Sequence, residues 1–78
     1  MAKLEIAATV DASGLSCPMP IVKAAQAIKT VQPGQLLEVI ATDAGSVKDF
    51  EAWAHSTGNE LVESTIDGGK YRYVLRRK

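Results

Sequence analysis

The residues best suited to chemistry are a cysteine and the two prolines that follow it. Cys17 is the only cysteine among the 78 residues, and Pro18 and Pro20 bracket Met19 directly behind it. Proline has a φ angle close to the helical value, and it lacks an N–H group that the first turn of a helix leaves unpaired anyway. The Ala-rich run that follows favours helix. The sequence therefore predicts that Cys17 is the N-cap or a first-turn residue of a helix over about residues 18–30.

A thiol at the N-terminus of a helix is expected to be reactive. The partial positive charge and free N–H groups there stabilise a thiolate and lower the pKa of such a thiol. The N–H groups of Met19, Ile21 and Val22 are expected to support an anion, and Lys23 adds a positive charge about one turn further in. A cysteine that only fills a core needs neither a preceding glycine nor two following prolines. The pattern favours a reactive cysteine that is also able to hold a persulfide anion.

These residues resemble a known family. The tetrapeptide C-P-M-P at 17–20 is similar to the C-P-x-P signature of the TusA/SirA-like sulfur carrier family. Further family motifs are matched by segment 11–15 (D-x-x-G-L), segment 32–34 (the P-G turn), segment 41–49 (D-P-G-x-x-x-D) and segment 71–73 (part of the last strand). Ala44 stands in place of the family's proline, and Ser16 replaces a basic residue that many relatives carry. The resemblance covers about residues 4–77.

The resemblance implies a function and its partners. Cys17 would take sulfane sulfur as a persulfide from a cysteine desulfurase or rhodanese-type donor and pass it to an acceptor such as a DsrE-like protein. The destination stays open among tRNA thiolation, molybdenum cofactor supply and dissimilatory sulfur oxidation, and a thiosulfonate is an alternative cargo. No cofactor or metal is implied beyond the covalent sulfur. A carrier is expected rather than a stand-alone enzyme.

The neighbours of Cys17 receive supporting roles in this interpretation. Gly14 permits the turn before the cysteine, and the two prolines hold the loop rigid. The apolar residues that would dock partner proteins around the sulfur are Leu15, Met19 and Val22.

Length and composition limit the remaining possibilities. A chain of 78 residues is expected to be one domain, residues 1–78. Nine basic residues balance nine acidic ones, so no net positive field attracts nucleic acid. A single cysteine cannot form an internal disulfide. The sequence shows neither a membrane-spanning apolar run nor a signal peptide, which predicts a cytoplasmic protein without a membrane partner.

The order of elements predicts an α/β (α+β) two-layer sandwich. Strands are expected at 4–10, 36–42, 60–66 and 71–76, and a second helix follows Ser46 and stops at Gly58. Ser46 is interpreted as the N-cap of that helix, in a capping box with Asp49. The result is βαβαββ, a four-stranded mixed sheet with two helices on one face. The family resemblance implies the same fold, similar to the C-terminal domain of translation initiation factor 3.

Other candidate residues have plainer interpretations. Asp43 and Asp49 suit a turn and a helix start better than a metal site, and His55 suits a solvated helix residue. Trp53 remains undecided between core and docking. The basic residues of the fourth strand and tail are Lys70, Arg72, Arg76, Arg77 and Lys78; they indicate a solvated edge strand, with a docking patch for an acidic partner or tRNA as the alternative.

Two rival functions remain open at this point. The first is a non-catalytic regulatory or protein-interaction module, in which Cys17 is only a loop residue. The second is an RNA-binding module, against which the neutral charge and the absence of an aromatic-basic motif count. Oligomeric state is also open, since an exposed fourth strand would be able to pair with itself.

Overall fold

The order of elements confirms the βαβαββ prediction. The computed structural model describes residues 5–16 and 18–78, so the start of the predicted first strand and Cys17 lie outside the described residues. The elements are β1 (Ile6–Ala12), α1 (Met19–Ala27) with a 3₁₀ turn (Ile28–Thr30), β2 (Leu36–Ala41), α2 (Ser46–Thr57), β3 (Glu60–Asp67) and β4 (Lys70–Arg76). Both helices pack on one face of a mixed four-stranded sheet, which gives two layers.

The strand order across the sheet is β1-β2-β4-β3. β1 and β2 are parallel, whereas β4 is antiparallel to both of its neighbours. β2 is an interior strand, which agrees with the apolar residues on both of its faces. The interpretation of the fourth strand as a solvated edge is wrong, because β4 lies between β2 and β3 and its residues Tyr73, Val74 and Leu75 are fully buried.

The core lies between the sheet and the two helices. Its strand residues include Leu37, Val39, Tyr73 and Leu75, and its helix residues include Ala24, Ile28, Phe50 and Ala54. Phe50 stacks on Tyr73 with 4.4 Å between ring centroids, and Trp53 meets the edge of Phe50 at 6.2 Å. Such aromatic pairs add stabilisation beyond the burial of their area. The undecided Trp53 is therefore half-buried against the core.

The opposite face of the sheet, called the open face below, is covered by ion pairs. Arg72 of β4 donates to Glu38 of β2 and to Glu63 of β3, and Arg76 donates to Glu60 at 2.8 Å. The hydrogen bonds to Glu38 and then to Glu63 raise the pKa of the Arg72 guanidinium. Arg72 and Arg76 of β4 thus bind glutamates of neighbouring strands. Basic residues are also typical of exposed edge strands, which is why the sequence of β4 suggested an edge.

The start of α2 differs from the prediction. Gly45 is the N-cap and Ser46 is the first helical residue. Ser46 is buried, its N–H donates to the Asp43 carbonyl at 3.0 Å, and its Oγ lies 2.6 Å from the Tyr73 hydroxyl oxygen. The predicted capping box is wrong, because the hydroxyl of Ser46 pairs with a buried phenol instead. The stop at Gly58 is confirmed, with a left-handed φ of 79°.

In the part of the chain that the structure describes, no helix has the length and apolar character required to cross a membrane.

The buried Tyr73–Ser46 pair generates a prediction of pH-dependent stability. Burial raises the pKa of the Tyr73 phenol, while the Ser46 hydrogen bond opposes that shift. A raised pKa in the folded state means that stability is fully present below the ordinary value near 10 and is lost as pH rises above it. We expect the free energy of unfolding to fall above about pH 10, and to fall less steeply in Tyr73→Phe.

Urea unfolding of the wild type and Tyr73→Phe between pH 7 and pH 11 checks this expectation. At pH 7 the variant should be less stable by about 1–3 kcal/mol, because Ser46 loses its partner. Tyr71→Phe, which removes a half-buried hydroxyl two residues away, is the matched control and should keep most of the alkaline loss, because burial is the largest cause of the raised Tyr73 pKa. Parallel curves for the wild type and Tyr73→Phe would contradict the assignment.

Candidate functional site

Two loops meet at one end of the sheet. Because β1 and β2 are parallel, with Ala12 opposite Ala41, the loops that follow them leave the sheet at the same end, the carboxyl end of these two strands. The first loop contains Cys17 and leads to α1, and the second leads to α2. The carboxyl ends of parallel strands are the usual place for sites in α/β sheets. We therefore expect the chemistry predicted for the C-P-M-P segment at this end of the sheet.

The loop after β1 opens with a defined turn. Asp11 Oδ1 accepts a hydrogen bond from the Ser13 N–H at 3.0 Å, and the Leu15 N–H donates to the Ala12 carbonyl at 3.2 Å. Gly14 has a φ of 80°, a left-handed conformation that residues with side chains disfavour. Hydrogen bonds from the Ser13 side chain and then its backbone lower the pKa of Asp11. The motif's aspartate and glycine thus shape the turn that precedes Cys17.

A hydrogen bond joins the two loops. The Gly14 N–H donates to Thr42 Oγ1 at 2.8 Å, although the two residues are 28 positions apart in the chain. Sequence reasoning did not single out Thr42. A hydroxyl directly after a strand was the available signal, but its partner becomes visible only when the pairing of β1 with β2 is known.

The beginning of α1 corrects the predicted cap. Pro18 is the N-cap, with φ −98° and ψ 14°, and Met19 is the first helical residue. The N-cap position therefore does not belong to Cys17, whose own placement lies outside the described residues. Pro18 occupies the cap and Pro20 the second helical position, where the missing N–H group of proline leaves no helical hydrogen bond unmade.

Two of the N–H groups expected to bind an anion already donate hydrogen bonds within the chain. The Met19 N–H donates to the Ser16 carbonyl at 2.9 Å, and the Val22 N–H donates to the Pro18 carbonyl at 3.1 Å. The expectation that these two N–H groups are free is wrong, because a turn before the helix and the first helical hydrogen bond use them. Lys23 is exposed and lies about one turn into α1.

Apolar surface lies beside the C-P-M-P segment. Met19 is 42% exposed and Val22 is 39% exposed, and their spacing of three residues puts them on one side of α1. Leu15 is half-buried and packs against the core, whereas Pro20 is fully buried. The two prolines therefore differ: Pro18 is exposed, and Pro20 anchors the first turn in the core.

His55 stands apart from the end of the sheet where the two loops meet. His55 is exposed in the last turn of α2, nine residues or about 13 Å of helix from Ser46. Within residues 5–16 and 18–78, no group of three or more acidic, histidine or cysteine side chains lies close enough to hold a metal. A shallow depression of about 470 Å³, lined by Ile6, Gln35, Leu36 and neighbouring residues, lies at the opposite end of the sheet.

The basic residues do not form a free patch. Arg72 and Arg76 bind glutamates on the open face. Arg77 donates to the carbonyl of Val31, and the backbone N–H of Lys78 donates to Asn59 at 2.8 Å. Since three of these basic side chains are bonded within the fold, the charge available for an acidic partner or for RNA is smaller than the sequence suggested.

Comparisons with known proteins agree with the motif. The sequence model of the family described as Sulfurtransferase TusA matches residues 8–77. The sulfur carrier protein TusA of Allochromatium vinosum is 53% identical over 68 residues, which cover 87% of this chain and 90% of that protein. A putative sulfur carrier protein of Halobacterium salinarum is 43% identical over 77 residues, which cover 97% and 95% of the two chains.

The fold has a solved counterpart. The crystal structure of a SirA-like protein from Desulfitobacterium hafniense superimposes with a TM-score of 0.77 at 24% identity, covering 88% of this chain and 95% of that one. This likeness supports the two-layer fold, and the sequence matches extend through the C-P-M-P segment and both loops. On these grounds the chain belongs to the TusA sulfurtransferase family of sulfur carriers.

Proposed function

We propose that Cys17 carries sulfane sulfur as a persulfide between two proteins. The observation that carries the proposal is the family match over residues 8–77, which includes the C-P-M-P segment. Its place at the edge where two parallel strands end supports it further. An exposed loop suits a carrier, because the sulfur must be reached by a donor and later by an acceptor.

The chemistry balances without an oxidant. The Cys17 thiolate attacks the terminal sulfur of a donor persulfide, so a new S–S bond forms at Cys17 while the donor's S–S bond breaks. The electron pair of the broken bond leaves on the donor cysteine as a thiolate. An acceptor thiolate then attacks the terminal sulfur on Cys17 and releases the Cys17 thiolate. A chain with one cysteine cannot resolve its own persulfide as an internal disulfide.

The partners and setting follow from the same chemistry. A cysteine desulfurase or a rhodanese-type protein would supply the sulfur, and a DsrE-like or similar protein would accept it. A reducing cytoplasm, which keeps cysteine thiols reduced, fits this role. The family resemblance makes tRNA thiolation, molybdenum cofactor supply and dissimilatory sulfur oxidation the candidate destinations.

Mass spectrometry of the intact protein tests Cys17 directly. The reduced wild type should gain one sulfur mass from polysulfide, which leaves one sulfur shorter, and from thiosulfate, with sulfite as the leaving group; a thiol reductant should reverse the gain. Cys17→Ala and Cys17→Ser should gain nothing, because they lack the nucleophile. Tetrathionate should add a thiosulfonate-sized mass, because the thiolate displaces thiosulfate from it, and the stability of that adduct tests whether Cys17 can hold the alternative cargo.

Two results together would contradict the carrier function. They are the absence of any adduct on the wild type and a thiol titration in which Cys17 does not react in the folded protein. That combination would favour the regulatory or interaction module.

The exposed apolar residues of α1 should matter for protein donors alone. We expect Met19→Gln and Val22→Gln to lower the rate of sulfur transfer from a persulfide-loaded cysteine desulfurase about tenfold, since apolar residues at an interface centre commonly contribute that much. Loading from polysulfide should not change, because a small reagent needs no docking surface.

Ile66→Gln is the matched control for this experiment. Ile66 is 65% exposed, but it lies on β3, at the other edge of the sheet from β1 and three strand spacings or about 14 Å across. It should transfer sulfur at the rate of the wild type. Equal slowing of all three variants, or of none, would contradict a docking role for Met19 and Val22.

A further inference from the structure

We propose that Thr42 is a positioning residue that holds the segment preceding Cys17 in place for sulfur transfer. The inference rests on the carrier function proposed above and adds to it a residue outside the C-P-M-P segment. Thr42 contributes a hydroxyl at the end of β2, and that hydroxyl accepts the Gly14 N–H at 2.8 Å.

The bond joins the loop after an edge strand to the residue that follows an interior strand. The hydrogen bonds of Ser13 and Leu15 return to β1 itself, at Asp11 and Ala12. The bond of Gly14 instead reaches the residue that follows β2, which is paired on both sides by β1 and β4. An anchor on an interior strand holds the loop against the sheet rather than against its own beginning.

Gly14 depends on such an anchor because it has no packing of its own. The residue is exposed, its φ is 80°, and no atom lies within 4 Å of the place that a Cβ would occupy. A glycine loses more conformational freedom on folding than any other residue. Without the Thr42 hydroxyl, the loop between β1 and α1 would sample more conformations at this point.

The consequence for reactivity lies in the nucleophilic step. Attack by Cys17 requires the thiolate to be present and its backbone to hold one geometry, since misplacement of reacting groups lowers the rate. Alkylation by iodoacetamide reports on the same nucleophile: a carbon–sulfur bond forms at Cys17, the carbon–iodine bond breaks, and iodide leaves. This reaction requires neither a donor protein nor bound sulfur.

The experiment compares Thr42→Val, which keeps the shape but removes the acceptor, with Thr42→Ser, which keeps the hydroxyl. The rate of Cys17 alkylation is measured from pH 6 to pH 10, beside urea unfolding of each variant. Thr42→Val should alkylate about threefold to tenfold more slowly at pH 7, the factor expected from one net hydrogen bond. Its pH profile should move to higher pH, and Thr42→Ser should stay within about twofold of the wild type.

Thr9→Val is the matched control. Thr9 is an exposed threonine on the same pair of strands, and its hydroxyl donates to Glu38 Oε1 at 3.0 Å on the open face. It should alkylate like the wild type. A Thr42→Val profile that matches Thr9→Val, or a lower unfolding midpoint without a shifted pH profile, would overturn the proposal. So would an equal loss in Thr42→Ser.

These outcomes are separate from those of the proposed function. If the wild type takes up no sulfane sulfur, the carrier function fails in the mass measurement. The alkylation profiles still decide whether Thr42 positions the segment.

Discussion

The parallel pairing of β1 with β2 is the constraint on which the site depends. Parallel strands require a crossover, and here α1 provides it, so the loop with Cys17 is forced to one edge of the sheet. The register places Ala12 beside Ala41, which brings the second loop alongside the first. A slip of one residue would turn the apolar side chains of β1 away from the helices and would also separate Gly14 from Thr42.

Ion pairs between neighbouring strands occupy much of the open face of the sheet. Arg72 links Glu38 and Glu63 across three strands, and the fully buried Val74 lies on the same face. Ion pairs at partly exposed positions contribute little stability each. Their effect is to pair the guanidinium groups of Arg72 and Arg76 with glutamates of the neighbouring strands. The large apolar side chains exposed beside the C-P-M-P segment are then those of α1.

Much of the fold was predictable from local patterns. Residue patterns predicted four strands and two helices in the observed order along the chain, and Gly58 marked the end of α2. The position of β4 within the sheet was harder to predict. Basic residues occur both on exposed edge strands and on interior strands whose neighbours carry glutamates, so the sequence of β4 alone does not distinguish the two. Ser46 was assigned to a cap for a similar reason: its role depends on Tyr73, which is 27 residues away.

Parts of the candidate site were likewise predictable from adjacent residues, and other parts depended on residues far apart in the chain. The C-P-M-P segment was recognisable because its residue types are unusual and adjacent. The first turn of α1 was less predictable, since the N–H groups of Met19 and Val22 choose acceptors that depend on where the helix begins. Thr42 was missed because a threonine after a strand is common, and only a neighbouring backbone N–H gives it a role.

The interior position of β4 has a consequence for how the chain is made. β2 and β3 do not pair with each other, because β4 lies between them and is translated after both. While the ribosome is still adding residues 60–69, the sheet lacks its centre, and Tyr73 is not yet present to stack on Phe50. Native assembly of this sheet must therefore wait until β4 has left the exit tunnel. The single thiol of Cys17 is synthesised far ahead of β4, so it spends the interval on a chain that has not yet folded.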